Sequence, residues 1–175
     1  MKYLISYGSQ YGSTKHYALK FGNITHYPVC CYTKVKTIQQ YDGVIHFGAL
    51  YAGGVKGLKT IVSLEPKNLI IVTVGLADPQ DHENVQNIKS AIASHISKEV
   101  MDSAQIFHLR GAIVYQKLSI KHRIMMKLLY KKANKIPLDQ RNAETQTMID
   151  TYNKEISFVD DAQLNNLKNN IDHLS

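Results

Sequence analysis

The chain has 175 residues, 44 % of them hydrophobic, which suits one globular domain spanning residues 1–175 and excludes a disordered chain. Its longest apolar run, Leu69 to Ala77, has nine residues and contains Thr73 and Gly75; a membrane-crossing helix needs about twenty. The net charge of +7 belongs to one segment: Ala104 to Leu138 carries eight Lys or Arg and no Asp or Glu, while the remainder carries 13 basic and 14 acidic residues. A charge so placed points to a local binding surface.

Met1-Lys2 leads straight into a strand-like segment, Lys2 to Tyr7, with no signal peptide, so a cytoplasmic protein is expected. Gly8 to Ser13 is small and polar, a loop. Thr14 to Asn23 reads as a helix with Tyr17, Ala18 and Phe21 on one side. Val29 to Val35 is a weak strand, and Gly43 to Ala49 a clear one. Gly53, Gly54 and Gly57 mark a loop before a short helix at Leu58 to Leu64. Asn68 to Val74 is a near-continuous apolar strand, as in a parallel sheet covered on both faces.

Asp81 to Met101 reads as one helix, with Val85, Ile88, Ile92, Ile96 and Val100 as its apolar stripe. Gln105 to Val114 is a further strand, and Leu118 to Lys135 a basic helix closed by Pro137. Ile156 to Val159 is extended. Asp160 or Asp161 then caps a last helix bearing Leu164, Leu167, Ile171 and Leu174. Strands alternating with helices predict an α/β fold with a parallel sheet.

Cys30 and Cys31 are adjacent, so in a strand they point to opposite faces and read as reduced, small packing residues. The eight histidines show no metal-ligand spacing, and no Ser-His-Asp set is evident. His16 follows the first loop, where it faces either a bound ligand or solvent.

The strongest signal is Ser9-Gln10-Tyr11-Gly12-Ser13-Thr14. A loop between a strand and a helix offers free backbone N–H groups and the positive end of a helix dipole to a phosphate. Gly12 allows close approach, and Ser9, Ser13 and Thr14 can add hydroxyl donors. The alternative is an ordinary turn and helix cap. No Gly-Lys-Ser/Thr P-loop and no Gly-x-Gly-x-x-Gly dinucleotide pattern is present, so one phosphate, hence a mononucleotide, is the better reading.

Tyr7-x-Ser9-x-x-Gly12-x-Thr14-x-x-x-Ala18 resembles the flavodoxin phosphate signature. The resemblance implies a flavodoxin-like, doubly wound parallel sheet with helices on both faces and flavin mononucleotide (FMN) as cofactor. It also implies two loops around the flavin ring. By chain order these are Ala49, Leu50, Tyr51, Ala52 and Gly53, continuing to Gly54, and Gly75, Leu76, Ala77 and Asp78, ending at Pro79. Tyr51 either stacks on the ring or is a half-buried loop aromatic.

Two further stretches resemble the menaquinone-dependent protoporphyrinogen dehydrogenase family: Tyr41-Asp42-Gly43-Val44-Ile45 entering Gly48-Ala49, and Gly111-Ala112-x-x-Tyr115 before Arg123-Ile124-Met125-Met126-Lys127-Leu128. That family carries a basic insertion after its last region of sheet, which here corresponds to a helical insertion near residues 116–138. Gln116-Lys117-Leu118-Ser119 stands where the family has a Tyr/Trp/Arg-rich stretch. The implied activity is FMN-dependent oxidoreduction with electrons passing to a quinone; the alternative is an electron carrier serving redox proteins.

The basic helix keeps three readings: contact with an anionic membrane at the inner face through Lys121, Lys127, Lys131 and Lys132, recognition of an acidic partner or substrate, or a solvated face. Leu118, Met125, Met126, Leu129 and Ala133 share one side, and Ile124 and Leu128 are candidates to pack on the domain. Aromatics are not interleaved with the cations as nucleic-acid stacking requires.

Overall fold

The structure is a computed structural model that describes residues 1–51 and 54–172, without the side chains of Tyr51 and Glu144. Strand β1 (Tyr3–Gly8), helix α1 (Ser13–Thr25), β2 (Val29–Cys31) and β3 (Gly43–Tyr51) open the chain. A short β4 (Gly54–Val55), α2 (Leu58–Val62), β5 (Leu69–Gly75), α3 (His82–Ala93), α4 (Lys98–Ser103) and β6 (Gln105–Arg110) follow. The rest comprises β7 (Ala112–Val114), α5 (Ile120–Ala133), α6 (Ala143–Thr151), β8 (Glu155–Ser157) and α7 (Gln163–Asp172).

Five strands form a parallel sheet in the order β2-β1-β3-β5-β6, with β4 folded back antiparallel on the end of β3. This is the flavodoxin-like doubly wound order, whose connections reverse direction between β1 and β3. The register explains the two cores. The row Tyr7–Phe47–Val72–Phe107 faces α1 and α7, where Phe47 and Val72 join Tyr17, Phe21, Leu164 and Leu167. The alternate row, Leu4–Val44–Leu69, faces α2 and α3 and packs with Leu58, Ile61, Ile88 and Ile92. Because both faces are covered, β5 is apolar apart from Thr73 and buries Leu69 to Val74.

Tyr17 joins the elements at one end of the sheet. Its hydroxyl donates to the Arg110 carbonyl at 2.8 Å and accepts the Asp160 N–H at 2.9 Å. His46, fully buried in β3, accepts from the Ser6 hydroxyl at Nδ1 (2.8 Å), and its Nε2–H donates to the Lys56 carbonyl at 2.9 Å. That tautomer follows from the carbonyl, which can only accept. Burial pushes the imidazole down to about 4, outweighing the upward effect of its Lys56 bond.

Several expected elements differ. The helix at Asp81–Met101 is two, because Ser94 ends the first, its hydroxyl donating to the Ala91 carbonyl at 2.8 Å, and Ser97 caps the second by accepting from Val100 N–H at 3.4 Å. The strand at Gln105–Val114 divides at Gly111, whose N–H donates to the Gly75 carbonyl at 2.6 Å and whose carbonyl accepts from Phe158 N–H at 3.0 Å. β7 thereby leaves the main sheet and pairs antiparallel with β8. Only Val29–Cys31 of the Val29–Val35 segment is strand. Leu174 lies outside the described residues.

The insertion near residues 116–138 is part of a larger unit, β7–α5–α6–β8, and α6 carried no sequence signal that we read. It rests on a small core of Ile113, Tyr115 and Leu118 with Leu76, Met126 and Tyr152. Tyr152 stacks on Tyr130 at 3.9 Å between centroids. Ile124 and Leu128 do not pack on the domain. They are exposed, because α5 turns Met125 and Met126 inward and no described residue covers its other side.

Candidate cofactor site

The carboxyl ends of β1, β3 and β5 open into a cleft of about 390 Å³, at the switch point where open α/β sheets bind ligands. The loop after β1 forms one end. Gly12, with φ 110° and ψ −37°, turns the chain into α1, and a Cβ built on it meets nothing within 4 Å. The space is open, but this φ costs an L residue roughly 1–2 kcal/mol. The Gly12 N–H donates to Ser9 Oγ at 3.1 Å, which closes the loop.

No side chain caps α1. By contrast Asp81, Ser97, Ser119 and Asn142 cap α3, α4, α5 and α6. Among the described residues no side chain accepts from the first-turn amides of α1, a feature it shares with the Gly57-capped α2, so these amides can receive a phosphate. Ser13 Oγ accepts from Ala112 N–H at 3.0 Å, tying the loop to β7 while keeping its own proton to donate. Among the described residues lining the cleft there is no carboxylate, and the walls are mostly apolar. An anionic group at the loop with a flat apolar ring beside it fits this cleft, and FMN has that form.

The other loops are held firmly. Gly8 and Gly48 are partners across β1 and β3, and a Cβ on Gly8 would sit 2.0 Å from the Lys56 carbonyl oxygen. This close approach brings the Lys56 ammonium to Gln10 Oε1, to which it donates. Arg110 donates from Nε and Nη2 to the Leu76 carbonyl at 3.1 and 3.0 Å, while its guanidinium lies 3.6 Å from the Phe158 ring centre. One of the eight cations in the basic segment is thus a clamp on the loop after β5. Asp78 turns that loop by accepting Gln80 N–H at 2.8 Å on its carboxylate and the Asn84 amide at 2.9 Å on its carbonyl.

Of the residues expected around the cofactor, Gln10, Tyr11, Ser13, Thr14, Ala49, Leu50, Gly75, Leu76 and Ala77 line the cleft together. Ser9, Gly12 and Asp78 shape its loops without lining it. Ala52 and Gly53 lie outside the described residues, as does the Tyr51 side chain. His16 points elsewhere, its Nε2 2.7 Å from Asp161 Oδ1; that hydrogen bond holds the carboxyl below its usual range.

Sequence reasoning missed the far wall. Leu118, His122, Met125 and Met126 of the α5 region, Thr147 and Met148 of α6, and Asn84 and Asn87 of α3 also line the cleft. Tyr11 and His122 are joined between Tyr11 OH and His122 Nδ1, with rings edge-to-face at 5.6 Å, so α5 is latched to the phosphate-type loop. The clue was the shared helical side of Met125 and Met126; nothing in the spacing said what that side would meet.

The family model described as a flavodoxin domain matches residues 4–137. No curated protein sequence matches the chain. Among solved structures, a flavoprotein in complex with FMN from Lactobacillus acidophilus shares 15 % identity over 62 % of this chain and 91 % of its own, with a TM-score of 0.41. A flavodoxin from the domain Archaea shares 15 % over 62 % and 84 %, with a TM-score of 0.37. A flavodoxin variant from Pseudomonas aeruginosa shares 10 % over 73 % and 93 %, with a TM-score of 0.39. With the matched segment running from β1 into the turn after α5, and the Ser9–Thr14 loop and the loops after β3 and β5 inside it, the chain belongs to the flavodoxin domain family.

Proposed function

We propose that this protein is an FMN-dependent oxidoreductase of the protoporphyrinogen dehydrogenase type, taking electrons from a small reduced substrate and passing them to a quinone. Family membership supports FMN as the cofactor. The bound flavin supplies the acceptor of a hydride or of single electrons. The chain supplies the rest. The α1 amides and the Thr14 hydroxyl hold the phosphate, Arg110 fixes the Leu76 carbonyl on the ring loop, and the insertion excludes water from one side of the cleft.

The observation that carries this reading is the wall of Leu118, Met125, Met126 and Met148. A carrier that trades electrons between proteins works best with an open flavin edge. A cleft walled on one side by apolar, adaptable methionines is instead suited to an apolar small molecule. The net charge of +7 also sets the chain apart from electron-carrier flavodoxins, which are usually strongly acidic. Gln116–Ser119 replaces the aromatic and arginine-rich stretch of the porphyrinogen enzymes, so the substrate's own contacts differ there.

The test is a reconstitution. FMN should bind in preference to FAD, because the chain has one phosphate loop and no dinucleotide fingerprint. The loaded protein should then oxidise protoporphyrinogen and be reoxidised by a soluble menaquinone analogue, with saturation in both. Rapid exchange with redox proteins and no saturable reaction with either small molecule would make it a carrier.

A further inference from the structure

We infer that the outer face of α5 seats on an anionic lipid surface, with Ile120, Ile124 and Leu128 entering the headgroup boundary and Lys121, Lys127, Lys131 and Lys132 contacting lipid phosphates. This surface lies outside the cofactor cleft, and the inference does not depend on FMN binding.

Of the eight large hydrophobic residues exposed among the described residues, five fall between Ile120 and Leu138. Three of them, Ile120 (77 % exposed), Ile124 (57 %) and Leu128 (63 %), stand at consecutive i, i+4 positions and so form one stripe. By helical geometry Lys127 lies along one edge of that stripe, Lys121 and Lys132 along the other, and Lys131 within its C-terminal end. All four lysines are exposed, and among the described residues none has an acidic partner. Arg123 differs, since its guanidinium donates to the carbonyls of Leu118 and Gln116 at 3.2 and 3.3 Å.

An apolar stripe bordered on both sides by long cationic side chains matches the boundary between acyl chains and anionic headgroups, where aliphatic groups sink and ammonium groups remain at phosphate level. The segment from Ala104 to Leu138 has no carboxylate to oppose such a surface. The opposite side of the helix is fixed to the protein through His122, Met125 and Met126, so the stripe is held outward. A polyanion such as nucleic acid would use the lysines and leave the isoleucines in water. An acidic protein would need a groove shaped to this convex ridge, whereas a bilayer needs only a convex apolar strip. No helix among the described residues is long and apolar enough to cross a membrane, so the contact is peripheral.

The experiment is vesicle co-sedimentation of the full chain. Wild type should bind phosphatidylcholine–phosphatidylglycerol vesicles at low salt, lose much of that binding at high salt, and ignore pure phosphatidylcholine. The Lys121→Gln, Lys127→Gln, Lys131→Gln, Lys132→Gln quadruple variant should bind about a hundredfold more weakly. The Ile120→Ser, Ile124→Ser, Leu128→Ser triple variant should bind about tenfold more weakly. Circular dichroism and FMN titration of each variant verify that the fold and cleft persist, which separates this result from the fate of the functional reading. Absence of wild-type binding to the anionic vesicles overturns the inference. So does undiminished binding by either variant: if the triple variant alone binds like wild type, the surface attracts anions without seating in lipid. Binding to polyglutamate with no binding to vesicles would assign the face to an acidic protein.

Discussion

β5 and α5 are both rich in aliphatic residues, yet six of the seven residues of β5 are buried, whereas α5 buries only Ala133 of its fourteen. The difference is the number of covered sides. β5 lies mid-sheet, with α1 and α7 on one face and α2 and α3 on the other. α5 has one supported side, which rests on the thin core of Ile113, Tyr115 and Leu118 and on the cleft. Apolar content therefore encodes stability in one region and a surface in the other.

The comparison is sharpest between two isoleucines. Ile71→Ala, at a fully buried position in β5, should cost about 2–5 kcal/mol. Ile124→Ala on α5 should stay within about 0.5 kcal/mol. Urea denaturation of both variants measures this, and similar costs would mean that α5 is covered in solution.

Acid should act on the sheet next. The folded His46 is held down to about 4 by burial, against a usual value of 6.5, so the unfolded chain takes up more protons between those limits. This stability is fully present above pH 6.5 and is lost as pH falls through 4, up to about 3 kcal/mol in all. His108, partly buried and near Lys89, is likewise lowered to about 4 and acts in the same window. Denaturation midpoints from pH 7 to 4 give the slope, and His46 chemical shifts should show no titration above pH 5 if the assignment is right.

At the loop between the two regions, Thr14→Ala should weaken FMN binding by about 1.5–3 kcal/mol, the cost of a lost bond to a charged acceptor, and Gly12→Val should weaken it through the strain of a φ of 110° on a β-branched residue, which shifts the loop. Titration of the apoproteins reads it. Unchanged affinity in both would mean that the loop serves only to start α1.

The smallest effect belongs to the α5 start. Ser119 accepts from His122 N–H at 3.3 Å, and Ser119→Ala should cost about 1 kcal/mol. Hydrogen exchange should quicken in α5 amides and leave β5 unchanged. Equal changes in both would show the insertion unfolding together with the sheet.

Much of this was legible in the sequence because it depends on local pattern. The apolar run of β5 and the stripe of Leu164, Leu167 and Ile171 each specify a buried face by spacing alone. The small, polar loop from Ser9 to Thr14 between a strand and a helix marked one end of the cleft. What spacing cannot carry is a contact between distant segments. The break at Gly111 is set by its bonds to Gly75 and Phe158, and His122 reaches the site only because α5 folds back across Tyr11.

The sequence by itself determined the alternation of strands and helices, the polar loop at Ser9–Thr14 and the place of the positive charge, since each follows from neighbouring residues. Only the tertiary structure decided which side of α5 faces the cleft. A helix with Met125 and Met126 on one side and Ile124 and Leu128 on another has two apolar surfaces, and hydrophobicity does not rank them. The short core under β7 and the Tyr11–His122 contact break the tie, turning the methionines to the cleft and leaving the isoleucines and lysines outside.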